Sequence, residues 1–279
     1  MVWKILHIGA GLLWILFVLP LPTSSQPKSI LLATTTSLLD CGLLDVLLPV
    51  FESKTGYSVK PIGVGSGQAI VMAKRGEADV LLVHSPEAER RLLDEGHGIR
   101  RRPVMFNTFL IVGPVEDPAG VRKASNVTEA FRQIASRRSL FLSRGDRSGT
   151  HEKERSLWKA SGIDPERERW YQETGLGMGQ TLHMASEKGA YTLTDSGTYL
   201  ALRQKVRSVR LGPEDPLLLN VYHVIEVNPS RWPKVNGAGA RAFSDFLFSK
   251  EAQEIILSYG VGRYGARLFL PVTKIDGGH

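Results

Sequence analysis

The chain contains 279 residues, of which 42% are hydrophobic and 23% are charged, and it carries a formal net charge of +7 at neutral pH. This composition is ordinary for a globular protein with one large or two medium-sized cores. The basic residues are scattered, without the runs and interleaved aromatic residues that predict nucleic-acid binding, so we expect no nucleic-acid partner; a modest positive balance suits a small anionic ligand. The only cysteine, Cys41, excludes an internal disulfide and a cysteine-based metal site, and the histidines show no metal-ligand spacing.

Residues 1–25 are predicted to form a signal peptide. Lys4 precedes an apolar stretch over residues 5–21, and a short segment with small polar residues leads on to Ser25. This order predicts export to the periplasm or another extracytoplasmic compartment, with a mature chain that begins near Gln26. Because no A-x-A cleavage pattern is present and the apolar stretch approaches spanning length, an uncleaved membrane anchor is the alternative.

Strands and helices alternate along the rest of the chain. Strands are predicted over residues 29–32, 57–62, 79–83, 104–112, 139–142, 190–194 and 217–227. Helices are predicted over residues 43–51, 87–95, 128–137, 238–248 and 251–259, and directly after the loops at residues 63–68, 143–150, 174–181 and 195–198. The alternation predicts an α/β fold with mainly parallel sheets flanked by helices.

The two long apolar strands at residues 104–112 and 217–227 are predicted to cross between two α/β lobes. On this interpretation residues 26–108 and 217–279 form the first lobe, and residues 109–216 form the second. Ligands of open α/β sheets bind at the carboxyl edge of the strands, and a hinged pair of lobes is one standard geometry for enclosing a small ligand.

Four loops rich in glycine and hydroxyl groups precede predicted helices at this carboxyl edge. They lie at residues 33–37, 63–68, 143–150 and 174–181, two in each lobe. Any one of them is explained by helix capping, since Ser and Thr are common N-cap residues. Together they predict an oxyanion site, because glycine allows close approach of backbone N–H groups and hydroxyls are adjustable donors at the positive ends of helices. The candidate hydroxyl donors are Thr35, Thr36, Ser37, Ser66, Ser148 and Thr150, while Thr34 is expected to be mainly structural.

Arg144 is the most informative charged residue. It stands just before a Ser-Gly-Thr helix start, where its planar guanidinium can add fixed donors to the ligand. Asp146 is predicted to orient or cap and not to touch the ligand, because a carboxylate repels a fully deprotonated oxyanion.

An enzyme is the alternative interpretation of the same loop. Ser148 with His151 and Glu152 suggests a hydrolase or transferase that acts on a phosphorylated or acyl substrate. These residues are too close in sequence for the nucleophile, base and orienting acid of a relay, so we expect no catalytic residue.

The chain resembles the periplasmic tungstate-binding proteins of ABC uptake systems. The matching stretches are residues 33–37, 64–69, 79–84, 143–151 and 177–199, which extend over nearly all of the mature chain. The resemblance implies a two-lobed type II periplasmic-binding-protein fold, an oxyanion held between the lobes and delivery to a membrane permease. It implies a ligand-binding set made of Thr35, Thr36 or Ser37, Ser66, Arg144, Ser148 and Thr150. The family associates Arg144 with a preference for tungstate.

Three positions depart from the family pattern. Cys41, Ser66 and Ser196 stand where the family commonly has serine, threonine and arginine, respectively. Ser66 keeps a hydroxyl group, whereas Ser196 loses a charge, which leaves the role of its loop open. We expect a monomeric oxyanion receptor that is not an enzyme and needs no cofactor or metal. Tungstate is the expected ligand, and molybdate, which has nearly the same size and charge, is also possible.

Overall fold

The computed structural model describes residues 29–272, so the predicted signal peptide lies outside the described residues. The chain begins with β1 (Ser29–Thr35), α1 (Thr36–Asp40), α2 (Leu43–Thr55), β2 (Ser58–Val64), α3 (Ser66–Lys74), β3 (Val80–Val83), α4 (Pro86–Asp94) and the long strand β4 (Gly98–Gly113). It continues with α5 (Val127–Ser136), β5 (Phe141–Ser143), α6 (Gly149–Ala160), β6 (Tyr171–Glu173), α7 (Met178–Lys188), β7 (Thr192–Asp195), α8 (Ser196–Leu202) and β8 (Val209–Arg210). The last elements are β9 (Leu219–Val227), α9 (Gly237–Phe246), α10 (Lys250–Ser258), α11 (Val261–Tyr264) and β10 (Leu270–Pro271).

The strands form two lobes that share β4. In the first lobe the order is β2-β1-β3-β9-β4-β10, with β1 parallel to β2 and β3, and with β9 antiparallel to both β3 and β4. Residues 98–108 of β4 pair with β9, whereas residues 109–113 pair with β7 and β8 of the second lobe. β5 is parallel to β6, and Phe141 of β5 bridges to Tyr191 just before β7.

Each lobe therefore repeats one strand order, β2-β1-β3-β9-β4 in the first and β6-β5-β7-β4-β8 in the second. The parallel pairs come from strand-helix-strand connections, and the antiparallel pairs all involve β4 or β9, the strands at which the chain passes from one lobe to the other. The predicted α/β fold is confirmed, and β4 is shared by both lobes.

Separate hydrophobic cores stabilise the lobes. In the first lobe Phe51 packs edge-on against Phe243 with ring centroids 5.3 Å apart, between α2 and α9. In the second lobe the buried indole of Trp158 lies 4.4 Å from the ring centroid of Phe131 and 5.2 Å from that of Phe141. Aromatic pairs in this geometry add to the stabilisation from apolar burial. Within the described residues, no helix is long and apolar enough to cross a bilayer.

Glycine determines where several helices end. α2 ends at Gly56 (φ 72°) and α7 at Gly189 (φ 60°), both in the left-handed region that side chains with a Cβ rarely adopt, as the sequence predicts.

The prediction fails at the start of β4, which begins six residues before the predicted 104–112. Arg101 there donates from Nε to Glu89 (2.8 Å), and Arg102 donates from Nη2 to Asp245 (2.8 Å), so partners in α4 and α9 compensate charges that are unusual in a strand.

Candidate functional site

The predicted hydroxyl- and glycine-rich loops all lie at helix N-termini. Thr35 is the N-cap of α1, where its Oγ1 accepts a hydrogen bond from the Leu38 N–H (3.3 Å). Ser148 is the N-cap of α6 and accepts from the His151 N–H (3.3 Å). Because each oxygen is used as an acceptor, the hydroxyl hydrogen remains able to donate to an anion. Capping and ligand binding are therefore compatible at both residues.

Gly65 and Gly177 occupy the equivalent N-cap positions of α3 and α7. Neither provides a side-chain cap, so the first N–H groups of both helices have no such partner. Unpaired N–H groups and the positive end of the helix dipole favour an anion at both positions.

The loops of the two lobes lie against each other. A Cβ atom added to Gly65 would lie 3.4 Å from Cα and Cβ of Ser148, and one added to Gly67 would lie 2.8 Å from the carbonyl oxygen of Arg147. A Cβ on Gly177 would lie 4.0 Å from the Thr36 hydroxyl. The structure thus brings the donor loops from both lobes to one cleft, in a closed arrangement.

Arg144 is held in this cleft between β5 and α6. Its side chain is only 4% exposed, and its Nη2 atom donates to Asp146 Oδ2 at 2.5 Å. The other carboxylate oxygen of Asp146 accepts the Ser148 N–H (3.1 Å), and Arg144 Nε donates to the Leu176 carbonyl (3.4 Å). Asp146 therefore orients both the guanidinium and the N-cap of α6. No described residue accepts a hydrogen bond from Arg144 Nη1, which leaves this nitrogen able to donate to a ligand.

The hydroxyl groups of residues 34–37 have different roles. Thr34 Oγ1 donates to the Leu82 carbonyl (2.7 Å), which is a structural contact between β1 and β3. Thr35 and Ser37 share a hydrogen bond of 3.2 Å. The Thr36 hydroxyl is buried and has no hydrogen-bond partner among residues 29–272. A buried unpaired hydroxyl is costly, so Thr36 is the member of this segment that most needs a ligand.

Ser66 and Thr150 complete the predicted set. Ser66 is the first residue of α3, fully buried, and its Oγ accepts the His84 N–H at 3.4 Å. Thr150 is the second residue of α6 and is also buried.

Burial favours the neutral forms of His84, His151 and Cys41 beside the cleft. It lowers the pKa of His84 to about 4 and also lowers the pKa of His151, so both imidazoles are uncharged at neutral pH. The imidazole Nδ1 of His151 accepts the Arg147 N–H (3.0 Å), as a neutral ring can. Burial also raises the pKa of the Cys41 thiol to about 12, and its Sγ donates to the Leu38 carbonyl (3.3 Å). Cys41 is thus a protonated, buried residue behind the loop.

The alternative enzyme interpretation is not favoured by the geometry. Ser148 Oγ accepts from the backbone N–H of His151, and the His151 ring is engaged through Nδ1 by the Arg147 N–H. A relay requires the hydroxyl to donate to an imidazole nitrogen, and no such hydrogen bond joins these two residues.

Tyr222 gave no signal in the sequence, whereas Ser196 stood out as a departure from the family pattern. The Tyr222 hydroxyl is buried near Ser37 without a hydrogen-bond partner in the described chain, and Tyr222 lies inside the mainly apolar strand β9. Ser196 begins α8, whose N-terminus is capped by the carboxylate of Asp195, which accepts from the Thr198 N–H (2.9 Å) and hydroxyl (2.6 Å). This loop is therefore internally satisfied without the arginine that is usual at position 196.

Comparison with known proteins matches this chain to a family model and to a known relative. Residues 22–251 match the model of the PBP superfamily domain. The tungstate-binding protein TupA of Peptoclostridium acidaminophilum is 46% identical over 245 residues, which are 87% of this chain and 85% of that protein.

Two solved structures are also similar. The tungstate ABC transporter structure from Geobacter sulfurreducens is 43% identical with a TM-score of 0.76, over 84% of this chain and all of that one. The tungstate-binding protein TupA from Desulfovibrio alaskensis G20 is 42% identical with a TM-score of 0.75, over 87% and 98% of the two chains.

Proposed function

The chain belongs to the PBP superfamily, in the family of the tungstate-binding proteins, and from this premise we propose that it captures tungstate between its lobes for delivery to an ABC transporter permease. One observation carries the proposal. Helix N-termini of both lobes approach each other, and the unpaired Thr36 hydroxyl and the buried Arg144 guanidinium belong to the loops at these N-termini. Such an arrangement suits a tetrahedral dianion, which presents four acceptor oxygens and no donor.

We propose that seven residues bind the anion. They are Thr35, Thr36, Ser37, Ser66, Arg144, Ser148 and Thr150. A hydrogen bond to a charged group contributes roughly 1.5–3 kcal/mol, so six of them would supply about 9–18 kcal/mol before the cost of ordering the ligand and closing the lobes. That range is enough for tight capture of a scarce ion. Tight binding of the anion therefore requires that most of these donors bind it at the same time.

Closure is part of the proposal. We place the first lobe at residues 26–108 and 217–279 and the second at residues 109–216, with β4 and the start of β9 as the hinge. The support for these limits is that β4 exchanges its partner strand between Thr108 and Phe109. In the ligand-free protein the lobes are expected to open, because the donor loops otherwise leave no route for the anion to enter.

Export by the signal peptide and function as a monomer complete the proposed role. An extracytoplasmic location fits the family, since a receptor for an uptake system must meet its ligand outside the membrane. Molybdate should bind as well, because its size and charge are close to those of tungstate, whereas sulfate is smaller and should fit poorly.

Calorimetric titration of the exported protein with tungstate, molybdate, sulfate and phosphate tests this function. We expect saturable heat with a stoichiometry of about one for tungstate, a similar or weaker response for molybdate, and little response for the two smaller anions. Phosphate also serves as the control for non-specific attraction by the net positive charge. Absence of heat with all four anions would end the receptor interpretation.

A further inference from the structure

A contact between the lobes lies outside the anion-binding loops. The hydroxyl of Ser85 donates a hydrogen bond to Oε2 of Glu152. Ser85 is the buried N-cap residue of α4 in the first lobe, and Glu152 lies in the first turn of α6 in the second lobe. A carboxylate of one lobe is thereby placed at the positive end of a nine-residue helix of the other, where a negative charge is favoured.

A buried network centred on Glu89 connects Ser85 to the strands β4 and β9. Glu89 is fully buried, and its Oε1 accepts the Ser85 N–H at 2.6 Å. Its Oε2 accepts from Arg101 Nε (2.8 Å) and lies 3.1 Å from Nδ1 of His223. Arg101 belongs to β4 and His223 to β9, so the two hinge strands determine the position of Ser85. The first-lobe half of the contact is therefore pre-organised.

Glu152 has no comparable role within its own lobe. Its carboxylate makes no other hydrogen bond or ion pair with a described residue, and the α6 N-terminus is already capped by Ser148. Burial raises the pKa of Glu152, while the Ser85 hydroxyl and the charge of Arg91 act in the opposite direction. A half-buried carboxylate is costly unless it is hydrogen-bonded, and Ser85 is the group that compensates it.

The seam around this contact is otherwise open. A cavity of about 680 Å³ lies on one side, bordered by Arg91 and Glu87 from α4 and by Glu152 and Arg155 from α6. A second cavity of about 340 Å³ is bordered by Arg91 and Glu152 as well. The hydrogen bond between Ser85 and Glu152 thus bridges a gap that side-chain packing does not fill.

Resting on the proposed capture of tungstate, we propose that Ser85 and Glu152 form a latch that keeps the lobes closed and sets the rate at which the anion leaves. The contact joins the lobes only when they are closed, so its loss should destabilise the closed state and spare the first encounter of the anion with the open protein. Glu152 is then a positioning residue that touches no ligand atom. The predicted effect is on the dissociation rate.

Release of isotopically labelled tungstate, chased with excess unlabelled tungstate and followed by rapid filtration, measures this rate. Glu152→Ala and Ser85→Ala should each accelerate dissociation about tenfold, with the association rate changed less than twofold. The double variant should resemble either single variant, because both changes remove one contact. Glu152→Gln, whose amide oxygen still accepts from Ser85, should lie between the wild type and Glu152→Ala.

Two controls separate a latch from a general loss of stability. Glu166→Ala removes an exposed carboxylate that borders the same large cavity, and it should leave both rates unchanged. The melting temperature of the anion-free protein should be the same for Ser85→Ala and the wild type, since the Ser85 hydroxyl does not cap α4.

An unchanged dissociation rate in Glu152→Ala, measured on protein that binds tungstate, overturns the latch and leaves the proposed function intact. Additive effects in the double variant also overturn it. A wild-type protein that shows no tungstate signal overturns the proposed function together with the latch.

Discussion

Replacing Arg144 by alanine is expected to weaken tungstate binding at least tenfold, and more than a hundredfold if two hydrogen bonds are lost, because each contributes roughly 1.5–3 kcal/mol to a charged ligand. The side chain is 4% exposed and is held by Asp146 and the Leu176 carbonyl. It therefore loses little conformational entropy when the anion binds. Its removal also leaves the Asp146 carboxylate without its cation beside a dianion. Equilibrium titration with tungstate measures the effect.

Variants of Arg144 and Asp146 distinguish the contribution of charge from that of hydrogen-bond geometry. Arg144→Lys keeps the charge but loses the planar fork, so it should also weaken binding at least tenfold. Arg144→Ala combined with Asp146→Ala should recover part of the affinity, since the repelling carboxylate is gone. Arg155→Ala is the matched control for net charge, because Arg155 is exposed and its ion pair with Glu166 is of the surface type that contributes little. Unchanged affinity in Arg144→Ala would remove Arg144 from the pocket.

The second large effect is expected from Gly67→Ala. A Cβ at this position would meet the Arg147 carbonyl oxygen of the other lobe at 2.8 Å, and a backbone atom cannot rotate away as a side chain can. Closure should be blocked, and the anion should then be held by the donors of one lobe at most. We expect a loss of affinity of about a hundredfold or more, since each 1.4 kcal/mol lost is a factor of ten. Titration with tungstate measures the loss, and X-ray scattering should show no compaction on its addition.

The anion-free protein should not be destabilised by this change. Gly67 is the second residue of α3, where alanine is preferred over glycine by about 0.5–1 kcal/mol. Gly149→Ala should behave similarly, because its Cβ would lie 2.7 Å from the His84 carbonyl oxygen of the first lobe. Gly262→Ala, which adds a Cβ with no neighbouring atom within 4 Å, is the control and should bind normally. Normal affinity in Gly67→Ala would mean that the lobes do not approach as closely when the anion is bound.

Local features of the sequence predicted most of the fold. The end of α2 follows from Gly56. The starts of α3 and α6 follow from the pairs Gly65-Ser66 and Ser148-Gly149, in which the first residue is the N-cap and the second begins the helix. These signals act within one turn of helix, so they can be recognised without knowledge of the tertiary structure. The start of β4 could not be predicted in this way, because the partners that compensate Arg101 and Arg102 are distant in sequence.

The residue types that line the cleft were predictable from the sequence, but which residues of the two lobes approach each other was not. The hydroxyl loops indicated which residues stand at the carboxyl edge, and only the three-dimensional structure shows that Gly65 approaches Ser148 and that Thr36 approaches Gly177. Tyr222 gave no signal of a role in the cleft, because it lies within the mainly apolar strand β9. The contact between Ser85 and Glu152 joins residues 67 positions apart, which is beyond the range of any local pattern.

The departures at Cys41 and Ser66 are compatible with the site. Cys41 is buried, and its backbone carbonyl accepts the Tyr259 hydroxyl at 2.6 Å, a contact that does not depend on its side chain. A thiol in place of a hydroxyl keeps the donor to the Leu38 carbonyl, although it is a weaker one. Ser66 keeps the hydroxyl group that threonine would provide.

A crystal structure of the tungstate complex, with an anomalous map recorded at a tungsten absorption edge, would show directly whether the anion lies between the lobes. We expect one strong tungsten peak in the cleft, enclosed by Thr36, Ser66, Arg144 and Ser148, with both lobes in contact with the tungstate oxygens. A tungsten peak in the cavity between α4 and α6 or elsewhere on the surface, with none in the cleft, would contradict it.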